Sequence, residues 1–199
     1  AKIDTKIDLI DHYIGIADKI LIGGGMAFTL LEARGINVGK SIVNKSKIIA
    51  SSELINKAKS RKNLFLPKDV VCSHSIDNDS KHDIYDVTDI PSDRMGLDIG
   101  PKTIESFSNH IRDSKTVIWN GPMGVFESSF FEDGTKQIAS EIASCTERGL
   151  VSIMGGGDTA SALRKFNLEN KMTHLSTGGG ASIQLLSGKN LPAIFVLEV

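Results

Sequence analysis

The feature that most limits what this chain can fold into is an alternation. Four short apolar runs, "KILIG" (residues 19–23), "NLFLP" (63–67), "TVIWN" (116–120) and "LVSIM" (150–154), read as strands buried on both faces. Between them lie stretches with helical spacing. Residues 133–145 place Ile138, Ile142 and Cys145 on one face, with Ala139 and Ala143 beside it. Residues 47–59 do the same with Ile48, Leu54, Ile55 and Ala58. A third helix opens at Pro101, a residue suited to a first helical position, and runs to about Arg112. Doubly buried strands alternating with helices specify a mostly parallel sheet covered on two sides, a three-layer, doubly wound α/β fold of the Rossmann-like type. A length of 199 residues suits one core, so residues 1–199 are expected to form a single domain. The polar stretch 77–93 reads as an irregular surface excursion.

Three glycine triplets punctuate this pattern: "LIGGGMAF" (21–28), "SIMGGGDTASAL" (152–163) and "LSTGGGAS" (175–182). The first two follow apolar runs and precede helices. In a parallel sheet every loop after a strand emerges at the carboxyl edge, where ligands bind. Glycine lets backbone N–H groups come close to a ligand, and a helix start adds partial positive charge. A single such loop is more simply a tight turn; three together favour a phosphate-bearing ligand.

Two phosphate motifs nearly fit and are rejected. "GINVGKS" (35–41) lacks one residue of a P-loop and follows what reads as a helix end, not a strand. "GGGDTA" (155–160) matches the dinucleotide fingerprint, but residues 171–182 contain no acid to hold a ribose. Asp158 would also sit against a pyrophosphate. A carboxylate there is favourable when a cation lies between, and Mg²⁺ binds through one or two carboxylates plus substrate phosphates. Asp158 with Thr159 therefore points to a Mg²⁺-nucleotide, although Asp158 as a plain helix cap is the bland alternative. "WNGPMGVFE" (119–127) follows a predicted strand and belongs at the same edge. It offers the Asn120 amide, a shaped turn at Gly121, apolar surface from Val125, and Glu127 as an acceptor for ribose hydroxyls. Lys2 and Lys6 lie one helical turn apart and could face a phosphate together.

Other classes are disfavoured. A formal net charge of −1 gives no basic footprint for nucleic acid. The longest apolar runs are far too short for a bilayer, no secretory signal is visible, and Cys72 and Cys145 form no framework, so a cytoplasmic location is expected. His74, Asp77, Asp79, His82 and Asp83 resemble metal ligands, but their spacing matches no zinc or calcium pattern.

Taken in order, "AKIDTK", "LIGGGMAFTLLEARG", "VGKS", "MGLDIGPKT", "VIWNGPMGVFE", "IMGGGDTASAL" and "LSTGGGAS" resemble the carboxyl-terminal, nucleotide-binding domain of the phosphoglycerate kinase family. The resemblance extends to about Pro192. It implies phosphoryl transfer between 1,3-bisphosphoglycerate and ADP, giving 3-phosphoglycerate and MgATP. On that resemblance, Lys6 would bind the transferring or terminal phosphate and Lys2 would neutralise the transition state. Gly24 and Gly25 would line the adenine slot, with Ile42 and Val125 as apolar walls and Gly121 at its edge. Glu127 would hold the ribose and Asn120 would touch the phosphates. Gly156, Gly157, Asp158 and Thr159 would start the phosphate-binding helix, with Asp158 serving the metal. Gly179 and Gly180 would offer amides to the transferring group.

The sequence also departs from the family. The amino-terminal, phosphoglycerate-binding domain, with its "RxDxN" signature, is not among these residues. The tail "AIFVLEV" is more apolar than the family's end. The expectation is a monomer that binds Mg²⁺-ADP or Mg²⁺-ATP with little or no turnover by itself. A Rossmann-type dehydrogenase domain and a non-catalytic partner-binding domain are the alternatives.

Overall fold

The computed structural model describes residues 3–77 and 81–176. The third glycine triplet, with Gly179 and Gly180, lies outside them, as does Lys2. The chain opens with α1 (Ile3–Ile14), then β1 (Ile20–Leu21), α2 (Gly24–Ala33), α3 (Ile48–Lys59) and β2 (Leu64–Phe65). β3 (Asp69–Ser73), β4 (His82–Asp86) and β5 (Met95–Ile99) follow, then α4 (Pro101–Arg112), β6 (Thr116–Asn120), α5 (Asp133–Glu147), β7 (Val151–Gly155), α6 (Gly157–Lys165) and β8 (His174–Ser176). Helices and strands alternate, apart from the run β2 to β5, in a single α/β domain. The expected burial on both faces is not met by β6 and β7, where Ile118 is 39% and Val151 42% exposed. The reason is that, among the described residues, the helices pack on only one face of these strands.

The parallel part comes in two pieces. β1 pairs with β2, and β6, β7 and β8 pair in that order. The register of the second piece is regular: Thr116 lies opposite Val151, Asn120 opposite Gly155, and Gly155 opposite Ser176. Three strands therefore end on one line, at Asn120, Gly155 and Ser176. The loops leaving β1 and β6 meet there, where the Gly24 N–H donates to the Met123 carbonyl at 2.9 Å. β1 and β2 form one parallel pair, and β6, β7 and β8 another parallel set. Open parallel sheets bind ligands outside the carboxyl ends of their strands.

The core beneath this edge is formed by α4, α5 and α6 against β6 and β7. Phe107, Ile138, Ile142, Met154 and Leu163 are almost fully buried in one cluster. Burying each such side chain stabilises the fold by roughly 1.5–3 kcal/mol. α1, α2 and α3 form a second cluster around Ile14, Leu30 and Leu54.

One expectation needs correction. The stretch 77–93 is not wholly irregular, because it contains β4, which pairs antiparallel with β3 from Asp69↔Asp86 to Ser73↔His82. β5 flanks β3 on its other side, also antiparallel. β4 forms despite a polar sequence because β3 supplies the backbone ladder and its own side chains mostly face solvent. Among the described residues, no helix is long and apolar enough to cross a membrane.

Candidate functional site

The loop after β6 is the centre of the site. At its base, the Asn120 amide Nδ2 is buried and, among the described residues, has no hydrogen-bond partner. A buried donor left unpaired costs about 1–3 kcal/mol. It lies beside the next loop: a Cβ on Gly155 or Gly156 would come within 3.2 or 3.3 Å of it. Lys6 reaches the same point from α1, its Nζ 3.4 Å from the Asn120 carbonyl oxygen and close to Gly121. Burial pulls the Lys6 ammonium below the ordinary lysine value, and the nearby Asp158 carboxylate acts the other way.

α6 begins inside the second glycine triplet, with Gly156 as its N-cap and no side chain capping it. The first N–H groups of a helix have no intrahelical acceptors, and the helix dipole makes that end positive. Asp158 is exposed in this first turn, whereas Thr159 is fully buried. The Thr159 hydroxyl accepts the Gly121 N–H at 2.7 Å and so joins the two loops. From the other side, Gly24 closes on the same turn. A side chain there would bring its Cβ within 2.8 Å of the Pro122 carbonyl oxygen, which explains a glycine at that position. Gly25 follows in the first turn of α2.

The structure thus brings together Lys6, Gly24, Asn120, Gly121, Gly156, Gly157, Asp158 and Thr159. The other expected residues extend outward. Val125 is half-buried, and its N–H donates to the Leu97 carbonyl at 2.8 Å. Glu127 is exposed, and Ile42 is 63% exposed in the segment before α3.

Sequence reading missed the residues that hold the central loop from below. The fully buried Thr135 hydroxyl accepts the Met123 N–H at 3.0 Å and the Gly124 N–H at 3.2 Å. Asp98, 3% exposed, accepts the Ile99 N–H at 2.8 Å and the Gly134 N–H at 2.6 Å. It fills the space where side chains on Gly124 or Gly134 would lie. Burial pushes its carboxyl up to about 7; the two N–H donors oppose this and Asp133 reinforces it. The signal was available in "MGLDIG", where one acid interrupts an apolar strand.

Among the described residues, no group of three or more His, Cys, Asp or Glu side chains gathers as a metal cluster. His74 faces Asp93 at 3.5 Å, and Asp83 faces Arg94 at 3.4 Å. The site's donors are instead an ammonium group, a helix start and a free amide, with one exposed carboxylate beside them. Such a set is suited to oxyanions, and the carboxylate admits a divalent cation between itself and the anion.

Comparisons with known proteins identify the family. The family described as phosphoglycerate kinase matches residues 1–189. A phosphoglycerate kinase of Chlorobium phaeobacteroides is 48% identical over 199 residues, all of this chain and 50% of that protein. One from Dictyoglomus turgidum is 49% identical over the same length, again 50% of its own. Among solved structures, phosphoglycerate kinase from Coxiella burnetii superposes with a TM-score of 0.94 at 37% identity, covering 99% of this chain and 50% of that one. The enzyme from Pyrococcus horikoshii gives 0.78 at 25% identity. The chain spans about half the length of the curated relatives it matches. With the profile covering nearly all of its residues and the fold reproduced in solved members, the chain belongs to the phosphoglycerate kinase family.

Proposed function

We propose that residues 1–199 form the carboxyl-terminal, nucleotide-binding domain of a phosphoglycerate kinase. The reaction is transfer of a phosphoryl group between 1,3-bisphosphoglycerate and ADP. The observation that carries this reading is the unpartnered Asn120 amide, buried between Lys6 and the start of α6. A phosphate chain along this edge would satisfy the amide, pair with the Lys6 ammonium and meet the free N–H groups of α6. In this arrangement Gly24 and Gly25 line the base slot, Ile42 and Val125 bracket it, and Glu127 accepts from the ribose.

The residues fit a bound Mg²⁺. Asp158 is a single exposed carboxylate in the first turn of α6, near enough to Lys6 to influence its charge, and Mg²⁺ often takes one carboxylate and leaves its other positions to phosphates and water. Held there, the ion would neutralise phosphate charge. By the family resemblance, Lys2, Gly179 and Gly180, which lie outside the described residues, complete the reading as groups that would act on the transferring phosphoryl group.

The phosphoglycerate is assigned to a second domain, in keeping with relatives twice as long as this chain. Holding two reactants in register is worth about 7–11 kcal/mol of a barrier. Residues 1–199 alone are therefore expected to bind nucleotide and turn over little.

Calorimetric titration with ADP, with and without Mg²⁺, tests the reading. The chain should bind more tightly with Mg²⁺, and Asp158→Ala should lose about tenfold in Mg²⁺-dependent affinity, or ~1.4 kcal/mol. A chain that melts cooperatively yet gives no heat with any adenine nucleotide would sink it.

A further inference from the structure

α6 is fastened to the β6–α5 loop at both of its ends. At the amino end, the Thr159 hydroxyl accepts the Gly121 N–H. At the carboxyl end, Lys165 turns back to the same loop. Its ammonium donates to the Phe126 carbonyl at 2.6 Å and, more weakly, to the Glu127 carbonyl at 3.4 Å. The Glu132 carboxylate, farther along the loop, faces the same nitrogen at 2.6 Å. Thr159 and Lys165 are about 9 Å apart along the helix axis at the standard rise. The helix is a strut of fixed length, with the loop pinned to it at two points.

The Lys165 attachment differs from an ordinary surface ion pair. Such pairs join two flexible side chains and are worth little. Here the ammonium grips two consecutive backbone carbonyls through charge-assisted bonds. The side chain of Glu132 is only 16% exposed and that of Lys165 37%, so the carboxylate is shielded while the ammonium keeps contact with solvent on its outer side. Phe126, buried beside the grip, fixes the chain from the inner side. Two held peptide planes, one on each side of the Glu127 Cα, fix its backbone and so the direction in which its exposed side chain leaves the loop.

We propose that Lys165 is a positioning residue for the ribose of the nucleotide. It orients Glu127 and, through α6, fixes the distance between that acceptor and the phosphate end at Asp158 and Thr159. The inference rests on the nucleotide reading given above. Lys165 touches no ligand in this account; it sets where Glu127 points.

The test compares two probes, ADP and 2′,3′-dideoxy-ADP, each titrated with Mg²⁺. Lys165→Met keeps the length of the apolar stem and removes the charge. It should weaken ADP about fivefold, as for the loss of one directed hydrogen bond, and leave the dideoxy nucleotide unchanged. Glu127→Gln should show the same selectivity, and adding Lys165→Met to it should cost nothing further. Equal weakening of both nucleotides, as a merely structural role would give, overturns the inference. Unchanged ADP affinity in Lys165→Met overturns it too, with the nucleotide reading intact. A folded wild-type chain that binds neither probe overturns that reading and this inference with it.

Discussion

Gly121 carries two independent demands. Its φ is +99°, a region that side chains rarely enter, and a Cβ there would lie 2.3 Å from the Lys6 ammonium nitrogen. Gly35 meets only the first demand, with φ of +81° and nothing near its missing side chain. Alanine at either position should cost about 1–3 kcal/mol of strain in chemical denaturation. Only Gly121→Ala should also weaken ADP binding, because Lys6 must move. Lys6, Asn120, Gly156 and Asp158 were legible in the sequence because each sits at the end of a readable strand or one turn into a helix. Asp98, Thr135 and Lys165 were not. They act on a loop that is distant in the chain, and no local spacing announces which backbone groups a buried acid or a helix-end lysine will meet.

At the scale of elements, α4 shows how a helix is started from elsewhere. Pro101 suits its first turn, but Gly100 at the N-cap has no side chain to offer. The cap comes from β3: the fully buried Asp69 carboxylate accepts the Lys102 N–H at 3.0 Å, the Thr103 N–H at 2.8 Å and the Thr103 hydroxyl at 2.7 Å. The Thr103 oxygen in turn accepts the Lys68 and Asp69 N–H groups. Asp69→Ala removes the three bonds to its carboxylate, but the Thr103 N–H keeps the Gly100 carbonyl at 3.1 Å and the Thr103 hydroxyl keeps the Asp69 backbone carbonyl at 2.9 Å. The variant should therefore destabilise the chain by about 1–3 kcal/mol in urea titration. Nucleotide affinity of the folded fraction should stay constant, since α4 lies outside the site. Three helices, α3, α4 and α5, were read from the sequence to within one or two residues. β3, β4 and β5 escaped because their antiparallel pairing is written in backbone complementarity, and β4 has almost no apolar face to betray it.

For the molecule as a whole, Asp98 ties stability to pH. Its carboxyl has an ordinary value of 3.8 and sits at about 7 in the folded chain. The folded state therefore keeps a proton that the unfolded chain releases. The resulting stabilisation is complete below pH ~3.8 and is lost as pH rises through ~7, because the unfolded state then binds fewer protons. Between pH 5 and pH 8 the wild type should lose about 3 kcal/mol relative to Asp98→Asn, which cannot titrate there. Parallel denaturation curves for the two proteins at both pH values check this; a constant difference would refute it. The alternation of strands and helices disclosed this overall architecture in advance. Its division into parallel and antiparallel parts rests on contacts between distant segments that no single stretch encodes.

The bond between Lys6 and the Asn120 carbonyl closes 114 residues of chain. Contacts of such separation are entropically costly and slow to form. The cation arrives on the first helix while its partners belong to residues 120 and 156–159, so the binding edge exists only once both halves of the chain have docked. On the proposed nucleotide reading, binding competence is then a marker of completed folding. A ligand that recognises only this finished edge leaves the early steps of refolding at their own pace and acts instead as a brake on unfolding.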